Sequence, residues 1–205
     1  MEPPRSLITR EFYKPRGAKH LRYTFTATPD VLMWDNVADD TLRNLFLYLN
    51  QIFIIGEELP EVYESSSQAL APIPSKIEPC HGHYLTGYGF KGVGQSYNAH
   101  FAVQDCLARN DSNFVAYEVP VWAEPHETGN GAFWHGYIDY VALIPQEDGT
   151  VKILVADYKP NAAKEKHAHV QVYRYMVMLA RRTKIPLSQF EGVYFDEKHA
   201  FKIYP

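Results

Sequence analysis

The sequence predicts a mixed α/β domain, because strand patterns and helix patterns follow one another along most of the chain. In residues 114–122, the larger side chains of Val115, Tyr117, Val119 and Val121 alternate with Ala116, Glu118 and Pro120, and residues 134–144 and 151–159 are rich in β-branched and aromatic side chains. Residues 90–109 before these strands, and residues 162–182 after them, carry apolar side chains at helical spacing. The length of 205 residues and the apolar fraction of 46% fit one compact domain with a buried core.

Residues 1–75 are predicted to form an N-terminal helical extension and a linker, ahead of a core over residues 76–205. The extension contains a helix over residues 38–55, whose apolar side chains recur at helical spacing before Gly56 ends it. Residues 60–80 hold three consecutive serines and four prolines, which is typical of a linker.

The core is predicted to begin with a glycine-rich entry and a helix over residues 90–109, which carries His100. The three strands follow, and Asp148-Gly149 between the second and the third is a favourable hairpin turn. A long helix after Pro160 and two short strands, over residues 193–195 and 200–204, complete the order. This order of elements favours a mixed sheet with helices packed against it.

The three predicted strands each carry a carboxylate in an apolar setting. Asp157 and Lys159 on the third strand are two residues apart, so both side chains project from the same face. Asp139 lies among apolar residues of the second strand, and Glu118 has a similar setting on the first. A buried carboxylate is costly unless it is paired or binds a metal ion. On paired strands, these three acids and the lysine can converge on one point.

Carboxylates grouped beside a lysine suit a divalent cation with oxygen ligands, Mg²⁺ or Mn²⁺. Such an ion would activate a water molecule and neutralise charge on a phosphodiester, while Lys159 would orient that water or help to deprotonate it. His100 can add an imidazole ligand, although an ordinary core position is the alternative for this histidine. The alternative for Asp157 and Lys159 is a solvated surface ion pair of little energetic value.

Positive charge is concentrated in the same part of the chain, although the net charge is −4. Residues 152–184 contain eight basic side chains against two acidic ones. On the long helix in this segment, Gln171 and Tyr175 are four residues apart and therefore share a face, with Arg174 beside them. Such side chains can hold a phosphate backbone without reading its sequence. An amphipathic helix with its polar tips in solvent is the alternative.

Taken in order, these motifs resemble the PD-(D/E)XK nuclease superfamily, and within it the RecB-like branch. That branch has a helix with a histidine, a strand with a glutamate, G-x-x-D, (D/E)-x-K and Q-x-x-x-Y. The same order here runs through His100, Glu118, Gly136-Tyr137-Ile138-Asp139, Asp157-Tyr158-Lys159 and the segment from Gln171 to Tyr175. The match covers about residues 90–180, and residues 1–70 lie outside it.

The resemblance implies a restriction-endonuclease-like core, in which helices flank a mixed β-sheet, and metal-dependent hydrolysis of phosphodiesters. The metal ligands that it implies are His100, Asp139, Asp157 and the carbonyl of Tyr158. The catalytic residues that it implies are Lys159, Asp157, Asp139 and the more variable Glu118. Contacts with DNA are expected from Gln171, Tyr175, Arg174, Lys164 and Lys166.

The expected function is that of a Mg²⁺- or Mn²⁺-dependent deoxyribonuclease in recombination, repair, or viral or mobile-element genome processing. Single- or double-stranded DNA is the expected partner, with exonuclease action, action on single strands, or both. The alternative is a catalytically inactive subunit of the same fold that binds nucleic acid or a protein partner. Formation of a homo-oligomer is compatible with either function.

The sequence also excludes several other classes of protein. Cys80 and Cys106 are too few for the four-cysteine iron–sulfur cluster of CRISPR-associated members of the branch, so no such cluster is expected. The run Cys80-His81-Gly82-His83 is only a weak indication of zinc. No P-loop or G-x-S-x-G motif is present, which argues against a fused helicase or a serine hydrolase. With no membrane-length apolar run and no signal-peptide pattern, a cytoplasmic protein is expected, in the host cytoplasm if it is viral.

Overall fold

The structure is a computed structural model, and it describes residues 6–16, 19–33, 35, 39–55, 76–88, 99–129 and 131–205. The strands in these residues are β1 (Ile8–Arg16), β2 (Lys19–Ala27), β3 (Lys76–Pro79), β4 (Phe114–Tyr117), β5 (Val119–Ala123), β6 (Trp134–Ile138), β7 (Tyr140–Pro145), β8 (Val151–Tyr158), β9 (Phe190–Phe195) and β10 (Ala200–Tyr204). The helices are α1 (Asp40–Ile55), α2 (Tyr84–Gly87), α3 (Ala99–Asn110) and α4 (Ala168–Thr183).

Eight of the strands form one mixed sheet in the order β1-β2-β4-β7-β8-β9-β10-β3. The pair β8–β9 is parallel, and helix α4 makes the crossover that a parallel pair requires. The other pairs in this sheet are antiparallel. Strands β5 and β6 form a second, two-stranded sheet. The predicted mixed α/β class is therefore confirmed.

Helices cover both faces of the large sheet. Successive residues of its central strand β8 point to opposite faces, and their contacts show which helices lie on each side. Ile153 and Val155 of β8 belong to one buried cluster, which also contains apolar residues of α1 and α4. Leu154 and Ala156 belong to a second cluster, which contains apolar residues of α2 and α3. The sheet is thus the middle of three layers, and β8 is buried on both faces, as its near-continuous apolar run indicates.

Two of the predicted strands are each interrupted at an acidic residue. Residues 114–122 divide into β4 and β5 at Glu118, and residues 134–144 divide into β6 and β7 at Asp139. Glu118 has a φ of 54°, a left-handed conformation that a β-strand cannot contain. After β4 and before β7, at Glu118 and Asp139, these two segments leave the large sheet. They pair with each other again as β5 and β6.

The N-terminal part differs from the helical extension that the sequence predicts. Strands β1 and β2 pair antiparallel as the two arms of a β-hairpin, and β2 pairs with β4 through Thr26↔Tyr117. Phe12 and Phe25 are fully buried in the same cluster as Leu49 of α1, so the hairpin completes the common core.

The remaining predictions for residues 1–80 have mixed outcomes. The predicted helix is confirmed as α1, and the carboxylate of Asp39 caps it by accepting the backbone N–H groups of Thr41 and Leu42. Strand β3 lies within the predicted linker and pairs with β10, so the linker prediction is wrong there. Most of that linker, residues 60–75, lies outside the described residues, as does the glycine-rich segment 89–98 before α3.

The other predicted core elements are confirmed with shifted ends. The long helix begins at Ala168, after a short 3-10 turn over Ala162–Lys164, and the first closing strand extends back to Phe190. Among the helices that the structure describes, none combines the length and the apolar character that crossing a membrane requires.

Candidate metal centre

Glu118 and Asp139 face each other where the chain passes from the large sheet to the small one. The two acids lie between two pairs of opposite residues. Ala116↔Val141 precedes them in the large sheet, and Val119↔Ile138 follows them in the small one. Both acids are buried, with 9% and 7% of their surface exposed. The shared register on both sides of the break therefore places Glu118 opposite Asp139, so the two carboxylates lie together.

His100 of α3 lies against these two carboxylates. Its Nε2 atom is 3.2 Å from Asp139 Oδ1 and 3.8 Å from Glu118 Oε1. One ligand atom of each residue lies within 4.8 Å of the others, so the three side chains could hold a metal ion together. In the part of the chain that the structure describes, no other group of three or more such side chains has this geometry.

Asp157 and Lys159 form an ion pair beside this cluster. Lys159 Nζ lies 2.8 Å from Asp157 Oδ2, and the Asp157 side chain also shares a hydrogen bond with Asp139. The side chains of Asp157 and Lys159 are only 2% and 21% exposed. The pair is therefore not the solvated surface pair that an isolated Asp-x-Lys pattern allows. The same-face spacing on β8 brings both groups to the site, as the sequence predicts.

The pKa values of these groups reflect crowded negative charge in a buried place. The Asp139 carboxylate raises the pKa of His100 to about 9, against the opposing effect of burial. Burial, and then the negative charge of Asp139, raise the pKa of Asp157. Burial alone would raise the pKa of Asp139, but the charge of His100 and their hydrogen bond hold it below its usual range. Three carboxylates thus compete for two cationic side chains, an imbalance that favours an added cation.

The backbone of Tyr158 contributes to the same place. Its N–H group donates to Asp139 Oδ2 at 3.0 Å. The next N–H group, that of Lys159, donates to the carbonyl of Phe195 on β9. Because the C=O and N–H of one trans peptide point in opposite directions, the Tyr158 carbonyl points away from β9, toward the side of Asp139. This orientation is compatible with the predicted carbonyl ligand.

Gln104 is a member of the site that the sequence analysis missed. This residue is one turn after His100 on α3 and only 1% exposed. Its Nε2 group donates to Glu118 Oε1 at 2.7 Å and lies 3.1 Å from His100 Nε2. The available signal was a polar residue at i+4 from the histidine, on a helix face that is otherwise apolar.

The predicted DNA contacts fall into two groups in the structure. Gln171 and Tyr175 are buried on α4, where the Gln171 amide donates to the Tyr175 hydroxyl at 2.9 Å. The guanidinium of Arg174 is also buried and lies 4.6 Å above the ring centre of Trp134. Lys164 and Lys166 are exposed in the turn before α4. Of these five predicted contact residues, only the two lysines therefore present an exposed charge to a ligand.

Two of the sequence motifs pack directly against each other. A Cβ atom added to Gly136, the glycine of G-x-x-D, would lie 2.5 Å from Cε1 of Tyr175, the tyrosine of Q-x-x-x-Y. Any larger side chain at position 136 would have to displace the tyrosine ring. The glycine is therefore required by close packing between β6 and α4.

The weak indication of zinc at Cys80-His81-Gly82-His83 receives no support from the geometry. Nδ1 of His83 accepts the N–H group of Leu85 and thereby caps α2. Among described residues, this run forms no group of three close ligand atoms.

Comparisons of this chain with models of known protein families, with curated proteins and with solved structures find no match.

Proposed function

We propose that this protein is a Mg²⁺- or Mn²⁺-dependent deoxyribonuclease. The observation that carries the proposal is the convergence of His100, Glu118 and Asp139 beside the buried Asp157–Lys159 pair. The motif order that resembles the RecB-like nucleases supports the same conclusion, because the motifs are distant in sequence and adjacent in space.

The donor set fits a hard divalent cation. Carboxylate oxygens and a backbone carbonyl are ligands that Mg²⁺ and Mn²⁺ accept, and an imidazole nitrogen is better suited to Mn²⁺. His100, Glu118 and Asp139 would hold the ion, with Asp157 and the Tyr158 carbonyl alongside. A cation bound there supplies a Lewis acid that lowers the pKa of coordinated water and offsets phosphate charge.

The lysine has its own part in this chemistry. Asp157 fixes one side of the Lys159 ammonium group, and burial keeps its surroundings largely free of solvent. The charges of Asp157 and Asp139 outweigh the effect of burial and hold the pKa of Lys159 above its ordinary value. A charged, fixed ammonium group can orient an attacking water molecule and stabilise negative charge that develops on a phosphate.

The substrate assignment to DNA rests on charge. The segment 152–184 that contains Lys159 is strongly basic, and exposed Lys164 and Lys166 lie in the turn that follows it. Basic side chains that neutralise phosphates provide sequence-independent affinity for nucleic acid. We place the activity in the cytoplasm, or in a host's cytoplasm for a viral protein.

The test is a cleavage assay with linear and circular DNA. We expect the purified protein to cut DNA with Mn²⁺ or Mg²⁺ and to leave it intact with EDTA. Asp157→Ala and Lys159→Ala should each reduce the rate by at least about a hundredfold, because each removes a group placed at the reacting centre. Matched controls are Asp105→Ala, on the surface of α3, and Lys76→Ala, at an exposed position of β3; both should cut like the wild type.

Two results would contradict the proposal. If Asp157→Ala and Lys159→Ala cut as fast as the wild type, the site is wrong. If no form of DNA is cut with any divalent ion but DNA is still bound, the protein is the inactive, nucleic-acid-binding subunit instead.

If DNA is cut, end-labelled single- and double-stranded oligonucleotides distinguish exonuclease from endonuclease action.

A further inference from the structure

A small open cavity lies between the start of β6 and helix α4. Its volume is about 80 Å³, and one wall consists of three consecutive aromatic side chains, Phe133, Trp134 and His135. The facing wall comes from α4 and includes Gln171, Arg174 and Tyr175. None of the described side chains that line it is acidic. Pockets for drug-sized molecules measure about 300–1,000 Å³, so this cavity suits only a small group or part of a larger ligand.

The aromatic wall already contains stacked rings. Phe133 and His135 lie with their ring centres 5.4 Å apart and their planes 28° from parallel. The guanidinium of Arg174 lies over the Trp134 ring, 4.6 Å from its centre. Phe133, Trp134 and His135 are all half-buried, so parts of them face solvent at the cavity. Flat π-faces next to a guanidinium form the kind of surface on which unpaired bases stack in single-stranded nucleic acid.

The cavity and the candidate metal centre are joined by one strand. His135 lies on β6 and Asp139 directly follows it, four residues away, which corresponds to about 13 Å at the usual strand rise. Tyr175 closes the space between them by packing on Gly136. A single nucleic-acid strand could therefore reach both places at once, with a base at the cavity and a phosphate at the metal centre.

We infer that this cavity binds an unpaired base of single-stranded DNA, and hence that the substrate is a single strand or a frayed end. The inference rests on the proposed function for the identity of the ligand and deepens it by naming the substrate class. Duplex DNA keeps its bases stacked inside the helix, where this aromatic wall cannot reach their faces. Phe133, Trp134 and His135 then determine the preference for single strands, and the basic side chains contribute affinity for both forms.

The test measures binding without cleavage. The full-length protein in EDTA is titrated into fluorescein-labelled oligothymidine of about twelve nucleotides, and into a blunt duplex of the same length, with anisotropy as the readout. We expect Phe133→Ala and Trp134→Leu each to weaken oligothymidine binding about tenfold and to leave duplex binding unchanged, because they remove a stacking face but no charge. Phe133→Tyr, which keeps the ring, should bind like the wild type.

The matched control is Tyr204→Ala, which removes an exposed aromatic side chain at the far edge of the sheet. It should leave the binding of both DNA forms unchanged, and circular dichroism spectra should show that every variant is folded. Unchanged oligothymidine binding by both cavity variants would overturn the inference, as would an equal loss for duplex, or no binding of oligothymidine at all. Because no cleavage is measured, these outcomes are independent of nuclease activity: single-strand binding that needs Phe133 can stand even if no DNA is ever cut.

Discussion

At the scale of single residues, the amide of Gln104 connects two of the three side chains that would hold the cation. It donates to Glu118 and lies against the His100 ring, and it is almost fully buried. A residue that touches a metal ligand from behind fixes the orientation of that ligand before the ion arrives. Gln104 is therefore a positioning residue of the proposed centre.

We predict that Gln104→Leu lowers the affinity for Mn²⁺ about tenfold to a hundredfold, the range typical of partners behind metal ligands. Glu118 would lose its donor and gain freedom to rotate away. Isothermal titration calorimetry with Mn²⁺ measures the change directly. Gln51→Leu, at an exposed position of α1, is the matched control and should bind like the wild type. Equal affinity in the two variants would mean that Gln104 only fills space.

Much of the site was predictable at this scale, and the part that was not has a definite physical reason. The meeting of Asp157 and Lys159 follows from local strand geometry, since alternate residues share a face. The meeting of Glu118 and Asp139 depends on how two strands distant in sequence pair, and neither that register nor the positive φ at Glu118 is revealed by an alternating apolar pattern. The amide of Gln104 becomes significant only once the helix has packed against the strand break.

At the scale of elements, the contact between β6 and α4 holds the cavity and the metal centre in one arrangement. Gly136 lets the ring of Tyr175 lie on the strand backbone, and Tyr175 in turn accepts the Gln171 amide. The absence of a side chain at position 136 therefore permits the close approach of the two elements.

We predict that Gly136→Ala destabilises the protein by about 1–3 kcal/mol, the usual cost of forcing a methyl group into a packed core. The new Cβ atom must displace the Tyr175 ring. The midpoint of urea unfolding measures the loss. Gly87→Ala is the matched control, because a Cβ atom there meets nothing within 4 Å, and it should leave the midpoint nearly unchanged. The loss of stability from Gly136→Ala should be smaller when Tyr175→Ala is already present, because the two residues are in contact. Strictly additive losses in the double variant would contradict that coupling.

The fold of the core was more predictable than that of the N-terminal part. The long apolar run of β8 and the amphipathic α4 have strong periodic patterns, and both elements were predicted near their observed positions. The β1–β2 hairpin was not predicted, and the strand β4 with which it pairs lies far away in the sequence. Pairing between distant strands cannot be derived from the periodicity of either one.

At the scale of the whole molecule, β1 and β2 share one sheet with β4, β7 and β8, and one core with β5 and α4. Phe25 of β2 is fully buried together with Val119 of β5 and Leu179 of α4. The division at residue 75 that the sequence suggests therefore does not separate two independent cores. The protein should unfold as one cooperative unit.

We predict that Phe25→Ala lowers the free energy of unfolding by about 3–5 kcal/mol, the usual loss for a buried phenylalanine. Circular dichroism and tryptophan fluorescence should follow one coincident transition in both wild type and variant. Phe101→Ala, which removes a ring that is 54% exposed, should shift the midpoint little. A variant in which one transition moves and a second stays in place would show that residues 76–205 fold on their own.

The separation of the cluster in sequence has a consequence for the life of the chain before it is fully folded. His100, Glu118 and Asp139 belong to a helix and to two strand breaks that are distant in sequence, and Asp139 also accepts the N–H group of Tyr158 at the end of β8. An unfolded or incomplete polypeptide does not hold these groups together. If the protein is the nuclease proposed above, unfinished copies would therefore lack the centre that cuts nucleic acid, and the cell that synthesises the protein would be protected from them.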